Sequence, residues 1–326
     1  MEGLVSHPSS PLPAYVPLAE VVRSGFREGV HYGAVIGITA DGAPGYTRGP
    51  VEAAMFPRSA AKPFQALAAL RAGAPVSGPE LAIAAGSHSG QDIHADTVRK
   101  VLADAGLGPD DLRCPVDWPM GRRFRDALLR SGGEPDRLLM NCSGKHAAML
   151  AACAAQGWST ADYLDPAHPL QALVRETIEE LCGEPVAHTA VDGCGAPQMA
   201  VSLQGLARGI RAMALAPEST PEAAVIAAMR THPEYVAGEG RLDTRIMRDL
   251  PGTVSKIGAE GVLVLADTDG RTAAVKISDG DAETRARAMV GLTALRELGA
   301  DVSPVADLLS VDLFGGGGPV GAVRPL

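Results

Sequence analysis

The sequence predicts an α/β fold in which both chain ends contribute to one antiparallel sheet, with a helical lobe between them. Three observations lead there. Alternating, turn-punctuated segments occupy residues 14–51. A second hairpin pattern occupies residues 261–277, and the stretch between the two repeats its apolar residues at helical spacing. Sheet signals at both ends of a chain with helices between them are satisfied most simply when the ends pair with each other.

Taken in order, Ala14–Gly25 supplies a first strand and His31–Thr39 a second, stopped by the Asp41-Gly42 turn, with Gly45–Val51 as its hairpin partner. Met55–Lys62 leads into a helix through Leu70, with apolar residues at 64, 67, 68 and 70 and a stop near Gly73. Pro63 is tolerated there because it falls in the first turn, where its missing N–H loses no bond. Pro79–Ala85 is a short helix running into the polar loop Gly86–Asp92. Helical patterns follow at 93–105, 122–131, 146–156, 170–182, 198–214 and 223–231, each punctuated by Gly or Pro. Strands return at 261–266 and 272–277 around Asp269-Gly270, followed by a helix over 282–298 and a last strand near 320–323. A chain of this length admits two domains or one two-lobed unit. The shared sheet favours a single unit over 1–326, its sheet lobe at about 14–58 and 254–326 and its helical lobe at about 59–253.

Composition narrows the function. With 29 Lys and Arg against 38 Asp and Glu, the net charge of -9 disfavours a nucleic-acid or anionic-membrane binder, which needs a basic face. Met1–Leu18, with prolines at 8, 11, 13 and 17, has neither the basic start nor the apolar run of a signal peptide or membrane span, so a cytoplasmic location is expected. Five cysteines without a paired spacing are expected to be reduced thiols. Cys153 and Cys182 sit in apolar helical patterns, whereas Cys142 and Cys194 sit in Gly-containing loops.

The chemistry concentrates at Ser59-Ala60-Ala61-Lys62. Residues three apart on a helix share a face, so this serine and lysine can meet, although a serine at a helix start is also an ordinary cap. Ser87-His88-Ser89 and Lys256-Ile257-Gly258 follow later in the chain, in the order in which Ser-x-x-Lys hydrolases carry their second serine loop and their Lys-x-Gly strand. A serine hydroxyl becomes nucleophilic when a neighbouring base takes its proton, and a lysine can be that base once burial or a second cation lowers its pKa. Lys62 and Lys256 would discourage each other's charge, with Ser87 relaying a proton. The plainer reading leaves Ser87 in a turn and Lys256 in solvent.

Together, Arg58-Ser59-Ala60-Ala61-Lys62, Ser87-His88-Ser89-Gly90, Asn141-Cys142-Ser143-Gly144-Lys145-His146, Val191-Asp192-Gly193-Cys194-Gly195-Ala196-Pro197 and Lys256-Ile257-Gly258-Ala259-Glu260-Gly261 resemble the bacterial L-asparaginase II family, the class 3 or rhizobial type. The likeness runs from about Val16 to Lys276. It implies a serine β-lactamase-like fold, a homodimer, and hydrolysis of L-asparagine to L-aspartate and ammonia. By this resemblance Ser59 is the nucleophile with Lys62 as its base, and Ser87 with Lys256 forms the second pair. Arg58, His146 and Asp192 would face substrate or organise the site, and Cys142, Lys145 and Cys194 would hold zinc. His232–Gly238 also matches the family, with no role beyond bordering the site.

Ser-His-Ser in place of Ser-x-Asn separates the chain from β-lactamases and penicillin-binding proteins, and Gly315–Gly318 matches the family only loosely. Two other readings stay open: a β-lactamase-like or esterase-type serine hydrolase acting on another acyl substrate, and a non-catalytic protein that binds zinc or a small ligand.

Overall fold

The computed structural model describes residues 13–326, so the reading of the first eighteen residues as neither signal nor span lies, for residues 1–12, outside the described part. The chain opens with strands β1 (Val16–Arg23), β2 (Phe26–Ile38) and β3 (Pro44–Arg48), then a short β4 (Ala54–Met55). A 3-10 turn, Arg58–Ala61, leads into α1 (Lys62–Arg71), α2 (Gly78–Ala84), α3 (Asp92–Asp104), α4 (Arg122–Arg130), α5 (Ser143–Gln156) and α6 (Pro169–Cys182). Strands β5 (His188–Val191) and β6 (Pro197–Ser202) precede α7 (Leu203–Ala214), α8 (Pro221–Thr231), α9 (Pro233–Val236) and α10 (Leu242–Asp249). The chain closes with β7 (Val254–Gly258), β8 (Val262–Ala266), β9 (Thr272–Ile277), α11 (Arg287–Glu297), β10 (Val311–Gly315) and β11 (Gly318–Pro325).

Both ends meet in one eight-stranded sheet ordered β10-β11-β1-β2-β9-β8-β7, with β3 on β2. The pairs are antiparallel, and two seams join the ends of the chain: β2 against β9, with Val35 opposite Val275, and β1 against β11, with Val21 opposite Val323. Strand β8 shows how the sheet is held. Its period-two alternation sends Val262 and Val264 to the helical lobe, where they share a core with Phe64 and Leu206. Leu263 and Leu265 point to the other face, against Met289, Leu292 and Leu295 of α11. A strand covered on both faces reads as an unbroken apolar run, which Val262-Leu263-Val264-Leu265 is.

Helix α5 runs through the middle of the helical lobe, and every residue from Ser143 to Cys153 is buried. Its run of alanines lets α1, α2 and α3 pack closely around it. That packing fixes the elements that carry the site, since Cys142 sits at the N-cap of α5 and Lys145 and His146 lie in its first turn.

Two segments differ from the sequence expectation. The helix predicted over 198–214 begins with strand β6, all six of whose residues are buried, the polar Gln198 and Ser202 included, so neither face is a solvated one. The helix predicted over 282–298 starts at Arg287 instead. Asp281 caps this start, accepting from the backbone N–H groups of Arg285, Ala286 and Arg287. Its carboxylate also forms a buried ion pair with Arg287 at 2.9 Å. Beyond the predicted strands lie a three-stranded sheet, β4-β6-β5, and the edge strand β10. All five cysteines are free thiols. No helix of the described residues is long and apolar enough to cross a membrane.

Candidate active site

A cavity of about 370 Å³ lies where β7, the Arg58–Ala61 turn and the head of α5 converge, and Ser59, Ser87, Cys142, Asp192, Cys194 and Arg241 all line it. Ser59 is half-buried on the turn before α1, and Ser87 is almost fully buried on the loop after α2. Strand β7 presses against the turn so closely that a Cβ on Gly258 would lie 2.3 Å from Pro57 O and 3.2 Å from Ala60 N. Only glycine fits there, and Lys256, two residues earlier, is held against the serine turn by that approach.

The three lysines singled out in the sequence are all buried: Lys62 and Lys256 are 1% exposed and Lys145 is 2%. Burying an ammonium is unfavourable unless its protons find acceptors. Lys62 Nζ has three, donating to Gly86 O (2.5 Å), Ser87 Oγ (3.0 Å) and Asn141 O (3.4 Å). Thus the lysine of the first expected pair is bonded to the serine of the second, and the Ser59 hydroxyl forms no hydrogen bond among the described residues. Lys256 Nζ donates to Ile257 O (2.8 Å) and lies 3.6 Å from Asp243. Burial brings its pKa down to about 8, with the Asp243 carboxylate opposing and the Lys62 and Arg241 cations reinforcing the shift. Close to half of Lys256 is therefore neutral near pH 8.

Asp243 is fully buried between strand and helix. It accepts from Ser255 Oγ (2.7 Å) and Ile257 N (3.0 Å), so the carboxylate fixes β7 while it faces Lys256. Arg58 has φ +52, a left-handed conformation unusual for a residue other than glycine. Its side chain holds that shape through Asp192 at 2.8 Å and Glu260 at 3.8 Å. With the Gln198 amide oriented to suit its neighbours, its oxygen accepts from Arg58 N and its nitrogen donates to Asp192 Oδ2, both at 3.2 Å. Arg58 and Asp192 therefore neutralise each other at the cavity wall.

The thiols of Cys142 and Cys194 line the same cavity as Ser87. Lys145 Nζ donates to Cys194 Sγ at 3.0 Å. Burial would lower the Lys145 pKa, but attraction from the Cys194 and Cys142 sulfurs outweighs it and leaves the amine charged. A hydrogen bond from Cys142 and the neighbouring Lys145 cation lower the Cys194 pKa against the effect of burial, making it the thiolate of the pair, while the same bond and burial hold Cys142 as a thiol. The one Cys142 proton has two acceptors, Asn141 Oδ1 at 2.8 Å and the Cys194 sulfur, and an anion is the stronger. His146 is fully buried with a pKa pushed down by burial to about 4, so it is neutral. The Tyr163 hydroxyl accepts from Arg113 N and lies 2.7 Å from His146 Nδ1, while His146 Nε2 is buried without a hydrogen-bond partner among the described residues.

Of the residues singled out in the sequence, Ser59, Ser87, Arg58, Asp192, Cys142 and Cys194 reach the cavity, while Lys62, Lys256, Lys145 and His146 stand in the layer behind it. Sequence reasoning passed over Gln198, Arg241, Asp243, Asp281 and Arg287. Among the described residues no three His, Cys, Asp or Glu side chains are grouped to hold a metal. The expected zinc set has only two such residues and adds an amine. In donor chemistry two sulfurs and an amine suit a thiophilic divalent ion, provided the ion displaces the Lys145 proton.

The sequence model of the L-asparaginase II family matches residues 19–325. Comparison with curated proteins finds no match. Among solved structures, a putative β-lactamase from Bacteroides dorei DSM 17855 is similar at 12% identity and a TM-score of 0.49, over 82% of this chain and 93% of that one. Mglu in its native form follows at 16% identity and 0.43, over 82% of this chain and 63% of that one, so the chain spans less than two thirds of its length. A Bacillus glutaminase aligns at 12% identity and 0.43, over 81% and 89%.

Proposed function

The chain belongs to the L-asparaginase II family of amidohydrolases, and on that premise we propose that it hydrolyses L-asparagine to L-aspartate and ammonia by serine-lysine catalysis. The observation that carries the mechanism is the 3.0 Å bond from Lys62 Nζ to Ser87 Oγ beside a cavity that also contains Ser59. It links the lysine of one proposed pair to the serine of the other.

Once Lys62 has given up one proton to solvent and is the neutral amine, Ser59 Oγ attacks the side-chain carbonyl carbon and the hydroxyl proton passes to Lys62 Nζ. The C–N bond breaks as Ser87, bonded to Lys62, hands a proton to the departing amide nitrogen, and a β-aspartyl ester remains on Ser59. Water, deprotonated along the same relay, cleaves the ester and returns the proton to Ser59. Lys256 supports the relay as the amine that surrenders its proton near pH 8. Coupled ammonia detection with L-asparagine tests the reading: turnover is expected, and its absence with correctly folded protein refutes it.

Cys142, Lys145 and Cys194 would hold a zinc ion, with the neutral His146 standing beside Cys194. When bound, the ion supplies a Lewis-acidic anchor that orients the substrate. Metal analysis of the purified protein is expected to give about one zinc per chain, removed by chelation or by Cys194→Ser. Zinc-free wild-type protein with full activity and unchanged thermal stability on zinc addition would refute this.

The relay also predicts a pH dependence. The useful form of Lys256 is neutral, so kcat/KM is expected to rise with pH through a limb near 8. Asp243 favours the charged form, hence Asp243→Asn should move that limb to lower pH. A limb that stays in place, or moves upward, counts against this role for Asp243.

A further inference from the structure

The segment His232–Gly238, matched to the family but without a role, leads into Arg241, which lines the cavity. Val236 O accepts from Ser87 N at 2.6 Å, and Thr244 Oγ1 donates to Pro233 O (2.9 Å) and Gly238 O (2.7 Å). Glu239 N donates to Gln91 Oε1, and Gly238, at φ +111, packs so tightly on Ser89 that a Cβ would lie 2.0 Å from its Oγ. From this braced loop Arg241 reaches the cavity while Asp243 reaches Lys256.

Three arginines line the cavity, and two already have anionic partners. Arg58 is paired with Asp192 and Arg287 with Asp281. Arg241 has no ion-pair partner among the described residues. Among the described residues, one of its terminal nitrogens meets only the Met120 sulfur, at 3.3 Å, a weak acceptor, and its Nε is buried with no hydrogen-bond partner. A guanidinium that faces a cavity with an unused donor and an unneutralised charge is complementary to a carboxylate, which accepts two parallel N–H bonds from it.

We infer that Arg241 anchors the α-carboxylate of the substrate and so selects amino-acid amides over simple amides. The inference rests on the proposed amidohydrolase reading and deepens it by naming the group that Arg241 recognises. Because the loop is fixed at both ends, the anchor holds the reacting amide at one distance from the serines. A substrate without the carboxylate leaves the guanidinium unpaired and binds weakly.

The test compares L-asparagine with 3-aminopropanamide, which keeps the amide and amine and lacks the carboxylate. Arg241→Gln is expected to lower kcat/KM for L-asparagine about a hundredfold more than for 3-aminopropanamide, chiefly through KM, as loss of a charged hydrogen-bonded pair does. Arg241→Lys, which keeps the charge without the fork, should fall between. Calorimetry with L-aspartate is expected to show binding to wild type and at least tenfold weaker binding to Arg241→Gln of unchanged melting temperature.

Equal losses on both substrates, or unchanged aspartate affinity, would overturn the inference and leave the amidohydrolase reading standing. A wild type inert toward L-asparagine but binding L-aspartate through Arg241 would support the subsite and refute the reaction. If Arg241 acts only by depressing the Lys256 pKa, Arg241→Gln moves the pH limb upward with KM unchanged, which also overturns it.

Discussion

Ser59→Ala is expected to lower kcat for ammonia release from L-asparagine by at least about a thousandfold while L-aspartate still binds, because the acyl-carrying oxygen is lost and the walls of the cavity stay in place. The comparison that gives this force is Ser87→Ala. Ser87 bonds Lys62, whereas the Ser59 hydroxyl has no hydrogen-bond partner among the described residues and lines the cavity. If Ser59 carries the acyl group, Ser87→Ala slows formation and breakdown of the ester without abolishing the ester itself. Rapid quench with peptide mass analysis should then place an aspartyl group on Ser59 in both wild type and Ser87→Ala. An aspartyl group found on Ser87, or a Ser59→Ala enzyme within tenfold of wild type, would exchange the roles of the two hydroxyls.

Much of the sheet was legible because its strands announce themselves chemically. Asp41-Gly42 and Asp269-Gly270 are turn pairs flanked by alternating or continuous apolar runs, and the observed hairpins β2-β3 and β8-β9 surround them. Strand β6 was hidden for the opposite reason. Pro197–Ser202 is wholly buried, and its alternation of Met199 and Val201 with Gln198 and Ser202 is short and runs through Leu203 directly into an apolar helix, so no turn residue marks where one element becomes the next. The late start of α11 was equally concealed, since the signal is a carboxylate, Asp281, capping a helix that begins six residues later.

In the site, the residues that sequence reasoning found are those whose chemical type is rare in its setting: serines one turn or one residue from a lysine or histidine, and cysteines in glycine loops. Gly238-Glu239-Gly240-Arg241 reads as an ordinary solvated loop, and a charged pair at 241 and 243 looks like surface. The contacts that make them matter, Asp243 to Lys256 and Arg241 to the cavity, reach a strand and a cavity wall that come together only when the two chain ends close the sheet. The pairing of Lys62 with Ser87 is of the same kind, because helix geometry alone placed Lys62 with Ser59.

Lys62→Met tests that pairing most severely. Methionine is of similar length and apolar, so the substitution removes a buried cation from a site that offers it three neutral oxygens and no carboxylate. The carbonyls of Gly86 and Asn141 lose a donor, at about 1–3 kcal/mol for each one left unsatisfied. Relief from burying an ammonium offsets part of this. The expected melting temperature is therefore within several degrees of wild type, while kcat falls at least about a thousandfold. The Lys62 cation also lowers the Lys256 pKa, so its loss moves Lys256 upward, back toward the ordinary lysine range. The residual activity should then rise with pH through a limb above the wild-type value near 8, opposite in direction to the shift expected for Asp243→Asn. A Lys62→Met enzyme that retains more than a few per cent of wild-type kcat, with its limb unmoved, would take Lys62 out of the proton path and leave Lys256 as the base for both serines.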